Sequence, residues 1–334
     1  MDDARASSPL KALYDDSLVW DAHAGIFPDP GVDLAILDSW RVNGVDYLSI
    51  NVGFDVLDPG RTMATLASYR RQVFADAERL VLAGRVADIE RARREGKLAI
   101  SFDIEGMNAL SDSLDMLDLY HALGVRQMLF AYNLNNAASS GCHDEDRGLT
   151  AFGRAIVRRM NDLGIIVDCS HAGCRSTMDM IAESRKPVVF SHSNPASVWA
   201  HGRNITDEQI KACAATGGVI GMNGMGIFLG PNDTRSETIL RHVRHVADLV
   251  GPAHVGFGFD YSPPIGIEVS EILKSRPDYW PPGNLYDTPH VGHAGPPEWL
   301  GIVETLGAAG FDDGEIRGML GENFKRVAAA VWRA

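Results

Sequence analysis

"IIVDCSHAGCRSTMDMIAESRKPVVFSHS", residues 165–193, reads as a single strand–helix–strand unit. Its two ends, "IIVDCSH" (165–171) and "PVVFSHS" (187–193), are short runs rich in β-branched and aromatic residues, as buried strands are. The intervening "CRSTMDMIAESR" (174–185) has helical spacing. Two strands joined through a helix run parallel. His171 and His192, which terminate these strands, therefore leave the sheet side by side at the same end.

The alternation extends in both directions. Six further strands are expected: "LVWDAH" (18–23), "VDYLSINV" (45–52), "LAISFDIE" (98–105), "RQMLFAYN" (126–133), "GVIGMN" (218–223) and "HVGFGFD" (254–260). Amphipathic helical patterns occupy 32–43, 63–96, 113–124, 150–164, 206–217 and 236–251, with two more at 297–310 and 312–333. Gly124, Gly164 and Gly251 stand where C-terminal caps belong, and Thr206 with Gln209 three residues on forms an N-terminal capping pair. Eight such units predict an α/β fold of the (β/α)8 TIM-barrel type, as one domain over 1–334. A dinucleotide-binding sheet would want G-x-G-x-x-G after an early strand, and none is there.

Composition narrows the function classes. Thirty-one basic against 44 acidic residues leave a net charge of −13, which argues against a nucleic acid or an anionic membrane face as partner. No run approaches the ~20 apolar residues of a membrane span. The start, "MDDARASSPLKALYDD", is acidic and polar, unlike a signal peptide. Four cysteines without a CxxC pair fit a reducing compartment, so a cytoplasmic protein acting on a small molecule is expected, with a homodimer allowed.

In a (β/α)8 barrel the chemistry sits at the C-terminal ends of the strands. Those ends carry His23, Asn51, Glu105, Tyr132, His171, His192, Asn223 and Asp260. A lone buried histidine is ordinarily a hydrogen-bonded core residue. Two on neighbouring strand ends, facing Glu105, instead suggest a divalent metal, because imidazole and carboxylate are the usual zinc ligands. Asp260 reads equally as a general base or as a loop-capping carboxylate. Arg203, in "HGRNIT", has the fork geometry to hold a substrate carboxylate, or else is a solvent-facing loop arginine. Half of the 16 prolines lie in 262–297, a loop expected over the barrel mouth, with His290 and His293 as exposed loop residues.

"GLTAFGRAIVRRMNDLGIIVDCSH" (148–171), "PVVFSHS", "GRNITDEQIKACAATGGVIGMN" (202–223), "HVGFGFD" and "IRGMLGENFKRV" (316–327) together resemble the membrane (renal) dipeptidase family, peptidase family M19. "DIEG" (103–106) and "YNLNNAASSGC" (132–142) add to the likeness, which runs over nearly the whole chain. The resemblance implies an amidohydrolase-type barrel that uses zinc to cleave dipeptides, often with a D-residue at the C-terminal side. It implies Glu105 as a bridging metal ligand, His171 and His192 as ligands of one ion, and His23 as a ligand of the other. Arg203 would bind the terminal carboxylate of the substrate, and Asp260 would carry the proton. Two positions depart from the family pattern: Gly25 replaces an expected ligand Asp, and Tyr132 an expected His. One or two zinc ions per chain are therefore expected, with Asp21 on the His23 face as a partial substitute. The alternatives are a hydrolase of a specialised amide, ester or lactone, and a barrel that binds a metal or anion without catalysis.

Overall fold

The computed structural model describes residues 8–265 and 269–333; the first seven residues of the acidic start and residues 266–268 of the proline-rich stretch lie outside it. Nine parallel strands form a sheet: β1 (Trp20–Ala24), β2 (Tyr47–Phe54), β3 (Leu80–Leu82), β4 (Leu98–Glu105), β5 (Val125–Leu129), β6 (Ile166–Asp168), β7 (Val189–Phe190), β8 (Val219–Met222) and β9 (Val255–Phe257). The order β1-β2-β4-β5-β6-β7-β8-β9 is that of a (β/α)8 barrel. Its last seam is fastened by the Asp260 N–H donating to the His23 carbonyl (3.0 Å) and the Phe259 N–H donating to Asp21 Oδ1 (3.0 Å).

The ninth strand corrects the sequence reading. Residues 63–96 are not one helical stretch: a helix over Pro59–Ala75 ends, β3 follows, and a second helix covers Val86–Arg94. β3 pairs with the first half of β4 (Leu98–Ile100), on the edge that β5 takes over from Phe102 onward. The barrel thus has eight strands around its wall and one short extension at its base.

Side chains fill the barrel in layers. Trp20, Tyr47, Ala99, Ile166, Val189 and Val219 make an apolar floor, which Phe324 and Trp332 of the C-terminal segment close from below. Above it the interior turns polar, with Ser49, Ser101, Asp103, Gln127 and Asp168 all buried. Such groups are tolerated inside only when hydrogen-bonded. Asp168 Oδ1, for instance, accepts from the backbone N–H groups of Ser170 (2.9 Å) and Ser191 (3.1 Å), which ties together the exits of β6 and β7.

A bulge in β1 decides what this strand shows to the interior. Trp20 pairs with Tyr47 and Asp21 with Leu48, but Ala24 pairs with Ile50, so one extra residue stands on β1. His23 therefore faces inward, and Asp21 does not share its face as the period of two suggests. Asp21 points outward, where Oδ2 accepts from Trp40 Nε1 (2.9 Å). It cannot substitute for a metal ligand.

Candidate metal centre

Seven polar side chains converge at the upper rim. His23 comes from within β1, Asn51 from β2 and Glu105 from the last position of β4; His171, His192, Asn223 and Asp260 follow β6, β7, β8 and β9 within three residues. His171 (φ 65°) and Asp260 (φ 54°) occupy the left-handed region, as does Asn133 (φ 59°). This costs a non-glycine residue about 1 kcal/mol or more, and such residues cluster at functional sites.

Glu105 is the hub. Its Oε2 accepts from Asn51 Nδ2 (2.6 Å), while Oε1 is buried with no hydrogen-bond partner. Around Oε1 stand the Nε2 atoms of His192 (3.3 Å), His171 (3.4 Å) and His23 (3.5 Å). Each imidazole is oriented from behind. His171 Nδ1 meets Asn133 Oδ1 (2.6 Å), which also accepts from Cys142 Sγ, so Nδ1 carries the proton and Nε2 offers its lone pair. His192 Nδ1 meets Ser191 Oγ (2.6 Å), and His23 Nδ1 faces Asp103 (3.3 Å). Asp103 is itself held by Ser49 Oγ (2.6 Å).

Burial and mutual charge shape the titrations. Burial opposes a charge on His23, but Asp103 and Glu105 outweigh it and, with Asp260, push the imidazole up to about 10. Burial raises Glu105 to about 8, against the pull of His23. His171 and His192 are held well below the usual range, by burial first and then by the positive charges of Arg203 and His23. Two imidazoles are thus kept neutral at physiological pH beside a carboxylate oxygen with no partner.

The donor set and spacing suit a metal ion. Two ligand atoms each ~2.0–2.2 Å from a tetrahedral zinc lie roughly 3.3–3.6 Å apart, which matches the separations around Glu105 Oε1. His23, Glu105 and His192 offer ligand atoms all within 4.8 Å of one another. His171 Nε2 and His192 Nε2 are tighter, at 3.0 Å.

A cavity of about 380 Å³ opens above the centre. Glu105, His171, Asn133 and Asp260 form its polar end; Ile26, Phe27, Phe54, Ile227, Phe228 and Trp280 form apolar walls. Tyr132 stacks on His171 (4.4 Å between centroids), and its hydroxyl accepts from Trp280 Nε1 (3.3 Å). From the proline-rich stretch, Ser262, Leu273, Trp280, Tyr286, Val291 and His293 line the cavity. His293 corrects the expectation of an exposed loop residue, since it sits beside Asp260 with Nδ1 3.3 Å from that residue's carbonyl oxygen. His290 is exposed, as expected.

Arg203 does not line the cavity among the described residues. Its guanidinium is buried and donates to Ser193 Oγ (3.0 Å) and the His192 carbonyl (3.0 Å), 5.9 Å from the Phe228 ring centroid. It is neither a solvent-facing loop residue nor a fork open to the cavity. Sequence reading singled out neither Asp103 nor Asn133, although Asp103 lies two places before Glu105 on the same strand face.

A family model described as membrane dipeptidase (peptidase family M19) matches residues 32–274. The chain belongs to this family. It is thus a metal-dependent, dipeptidase-like hydrolase. An uncharacterised protein of the pqqA 5′ region in Klebsiella pneumoniae is 31 % identical over 280 residues, covering 80 % of this chain and 95 % of its own. An uncharacterised dipeptidase of Schizosaccharomyces pombe is 32 % identical over 195 residues, 56 % of this chain; the match spans 47 % of that relative's length. The crystal structure of an amidohydrolase from Pseudomonas aeruginosa superposes with a TM-score of 0.88 at 26 % identity, over 97 % of this chain and 99 % of that one. Among the described residues, no helix of this M19 chain is long and apolar enough to cross a membrane.

Proposed function

We propose that this chain hydrolyses the amide bond of a small carboxylate-bearing substrate, a dipeptide of the L,L or L,D kind, at a zinc centre held by His23, Glu105, His171 and His192. The observation that carries this reading is Glu105 Oε1, buried without a partner amid three imidazole nitrogens at the base of a cavity of substrate size. When bound, the metal would acidify a water and polarise the scissile carbonyl.

The protein's own residues supply the rest. Asp260, at the polar end of the cavity, accepts from Asn223 Nδ2 through Oδ2 (3.1 Å), which leaves Oδ1, 3.6 Å from His23 Nε2, to take up and pass on a proton. The Tyr132 ring stacks on His171, and its hydroxyl, which accepts from Trp280 Nε1, keeps a proton to donate to the substrate. Arg203, behind Phe228, contributes positive potential for the substrate carboxylate. Residues 1–334 act as one cytoplasmic barrel, with the 262–297 stretch as the wall of the site.

A second reading, hydrolysis of a specialised amide, ester or lactone, is favoured by one observation: the guanidinium that would grip a dipeptide carboxylate is buried outside the cavity lining, with Nη1 and Nη2 donating to Ser193 and His192 and Nε without a partner. One experiment separates the two. Zinc-loaded protein is assayed on L,L and L,D dipeptides and on N-acyl amides, esters and lactones with apolar groups, alongside His171→Ala and Asp260→Asn. Dipeptide turnover that both variants abolish supports the first reading; turnover confined to the other substrates supports the second. Activity unchanged in both variants refutes the mechanism.

A further inference from the structure

Four aromatic rings stand in a row along one side of the cavity, and the hydrolysis proposed above uses only the hydroxyl of one of them. Phe27 follows β1, Phe54 is the last residue of β2, Tyr132 follows β5, and Trp280 comes from the proline-rich stretch. Neighbours meet edge to face: Phe27 on Phe54 (5.6 Å between centroids, 81°), Phe54 on Tyr132 (5.0 Å, 70°) and Tyr132 on Trp280 (5.9 Å, 69°). Aromatic pairs favour this geometry, so the row offers both faces and edges to a further ring. It begins at the centre itself, because Tyr132 stacks on His171.

The row is fastened to the barrel. Trp280 Nε1 donates to the Tyr132 hydroxyl (3.3 Å), the Tyr279 carbonyl accepts from Asn133 Nδ2 (2.9 Å), and the Tyr279 hydroxyl donates to the Asp55 carbonyl (3.3 Å). Asn133 also orients His171, so the wall and that imidazole hang on one residue. A preformed wall spends little of a guest's binding energy on ordering side chains.

Charge selects the guest further. Among the described residues, no lysine or arginine lines the cavity, and its carboxylates, Glu105 and Asp260, stand at the polar end. An acidic group carried in among the rings would lose its hydration with nothing to replace it. Burial of a benzyl or isobutyl group there is favourable. Apolar walls with a few polar groups converging at one end are the usual build of a small-molecule site.

We propose that Phe27, Phe54, Tyr132 and Trp280 form the pocket for a substrate side chain, and that this side chain is aromatic or large and aliphatic, with acidic ones turned away. The proline-rich stretch, through Leu273 and Trp280, is the specificity-determining segment. This inference rests on the hydrolase reading above and names the substrate class of that same site.

The test compares the zinc-loaded full chain on matched dipeptides. One residue is Phe, Ala or Glu and the other is Ala, with the variable residue first in one series and second in the other, in L,L and L,D forms. In one series kcat/KM is expected to favour Phe over Ala by about 10–100-fold, with Glu no better than Ala. Trp280→Ala should lower the Phe-to-Ala ratio about tenfold. Leu273→Arg places a guanidinium in the wall from a half-buried position on the helix Val269–Ser275, and should raise the Glu-to-Phe ratio at least about tenfold. Thermal melts report folding, and Leu273→Arg carries the test if Trp280→Ala fails to fold. The pocket is overturned, and the hydrolysis left intact, if Phe, Ala and Glu are turned over within about threefold of one another in every series, or if both ratios stay at the wild-type value in the folded variants. Calorimetric binding in the order Phe over Ala over Glu, without turnover of any probe, would overturn the hydrolysis and uphold the pocket; neither binding nor turnover would overturn both.

Discussion

Asp103→Asn tests whether the layer beneath the centre sets its metal affinity. The wild-type carboxylate accepts from Ser49 Oγ (2.6 Å) and faces His23 Nδ1 (3.3 Å) from full burial. The amide is nearly isosteric, so packing is conserved and only the negative charge is lost. Hydrogen bonds to charged groups contribute about 1.5–3 kcal/mol, and removing a carboxylate behind a ligating histidine typically lowers metal affinity 10–100-fold, or about 1.4–2.8 kcal/mol. The two ranges agree. Zinc affinity measured by chelator competition is therefore expected to fall 10–100-fold for the ion that His23 binds. An ion proposed on His171 and His192, which lean on Asn133 and Ser191, should be little affected. A weakening of less than threefold at the His23 ion, or an equal loss at both ions, would refute the idea that Asp103 acts through His23.

Three further outcomes can be checked. Asp21→Ala strands the Trp40 Nε1–H and the Phe259 N–H, so urea unfolding should show a loss of about 2–6 kcal/mol. Burial raises Asp21 to about 6, above its unfolded value, so its contribution is largest below pH ~4; the wild-type advantage should shrink by about 3 kcal/mol as pH rises past 6. Metal uptake at pH 7 should release protons, because His23 (about 10) and Glu105 (about 8) favour their protonated forms in the metal-free site. Apparent zinc affinity should then climb with pH through 8 and level off near 10, as read by calorimetry in buffers of different ionisation heat. Trp280→Ala removes an apolar wall and the donor to Tyr132, so KM for an apolar substrate should rise about tenfold with kcat little changed.

The barrel was legible because strand and helix periods alternate cleanly and because the strand ends carry His23, Glu105, His171, His192 and Asp260 instead of aliphatic residues. β3 was hidden: "RLVL" lies inside a long run of good helix formers, and only pairing with the first half of β4 makes it a strand. The face of Asp21 was misread for a different reason. A single-residue bulge leaves no mark on a period of two, yet it turns every side chain before it to the other side. The burial of Arg203 and the cavity position of His293 depend on how loops fold back on the strand ends, against Ser193 and Phe228 for one and Asp260 for the other, which strand and helix periods do not encode. Asp103 was within reach, since the alternation that turns Glu105 inward turns Asp103 inward too.

The seam between β9 and β1 has a consequence for biosynthesis. Residues more than 230 positions apart must meet before the sheet closes: Phe259 bonds Asp21, and Asp260 bonds His23. A nascent chain halted before its eighth unit has emerged would carry four of the imidazole and carboxylate donors without the clasp that aligns the first of them. The His23 side of the centre is thus fixed only after residue 260 has been made, whereas Glu105, His171 and His192 come from strands completed earlier in the chain.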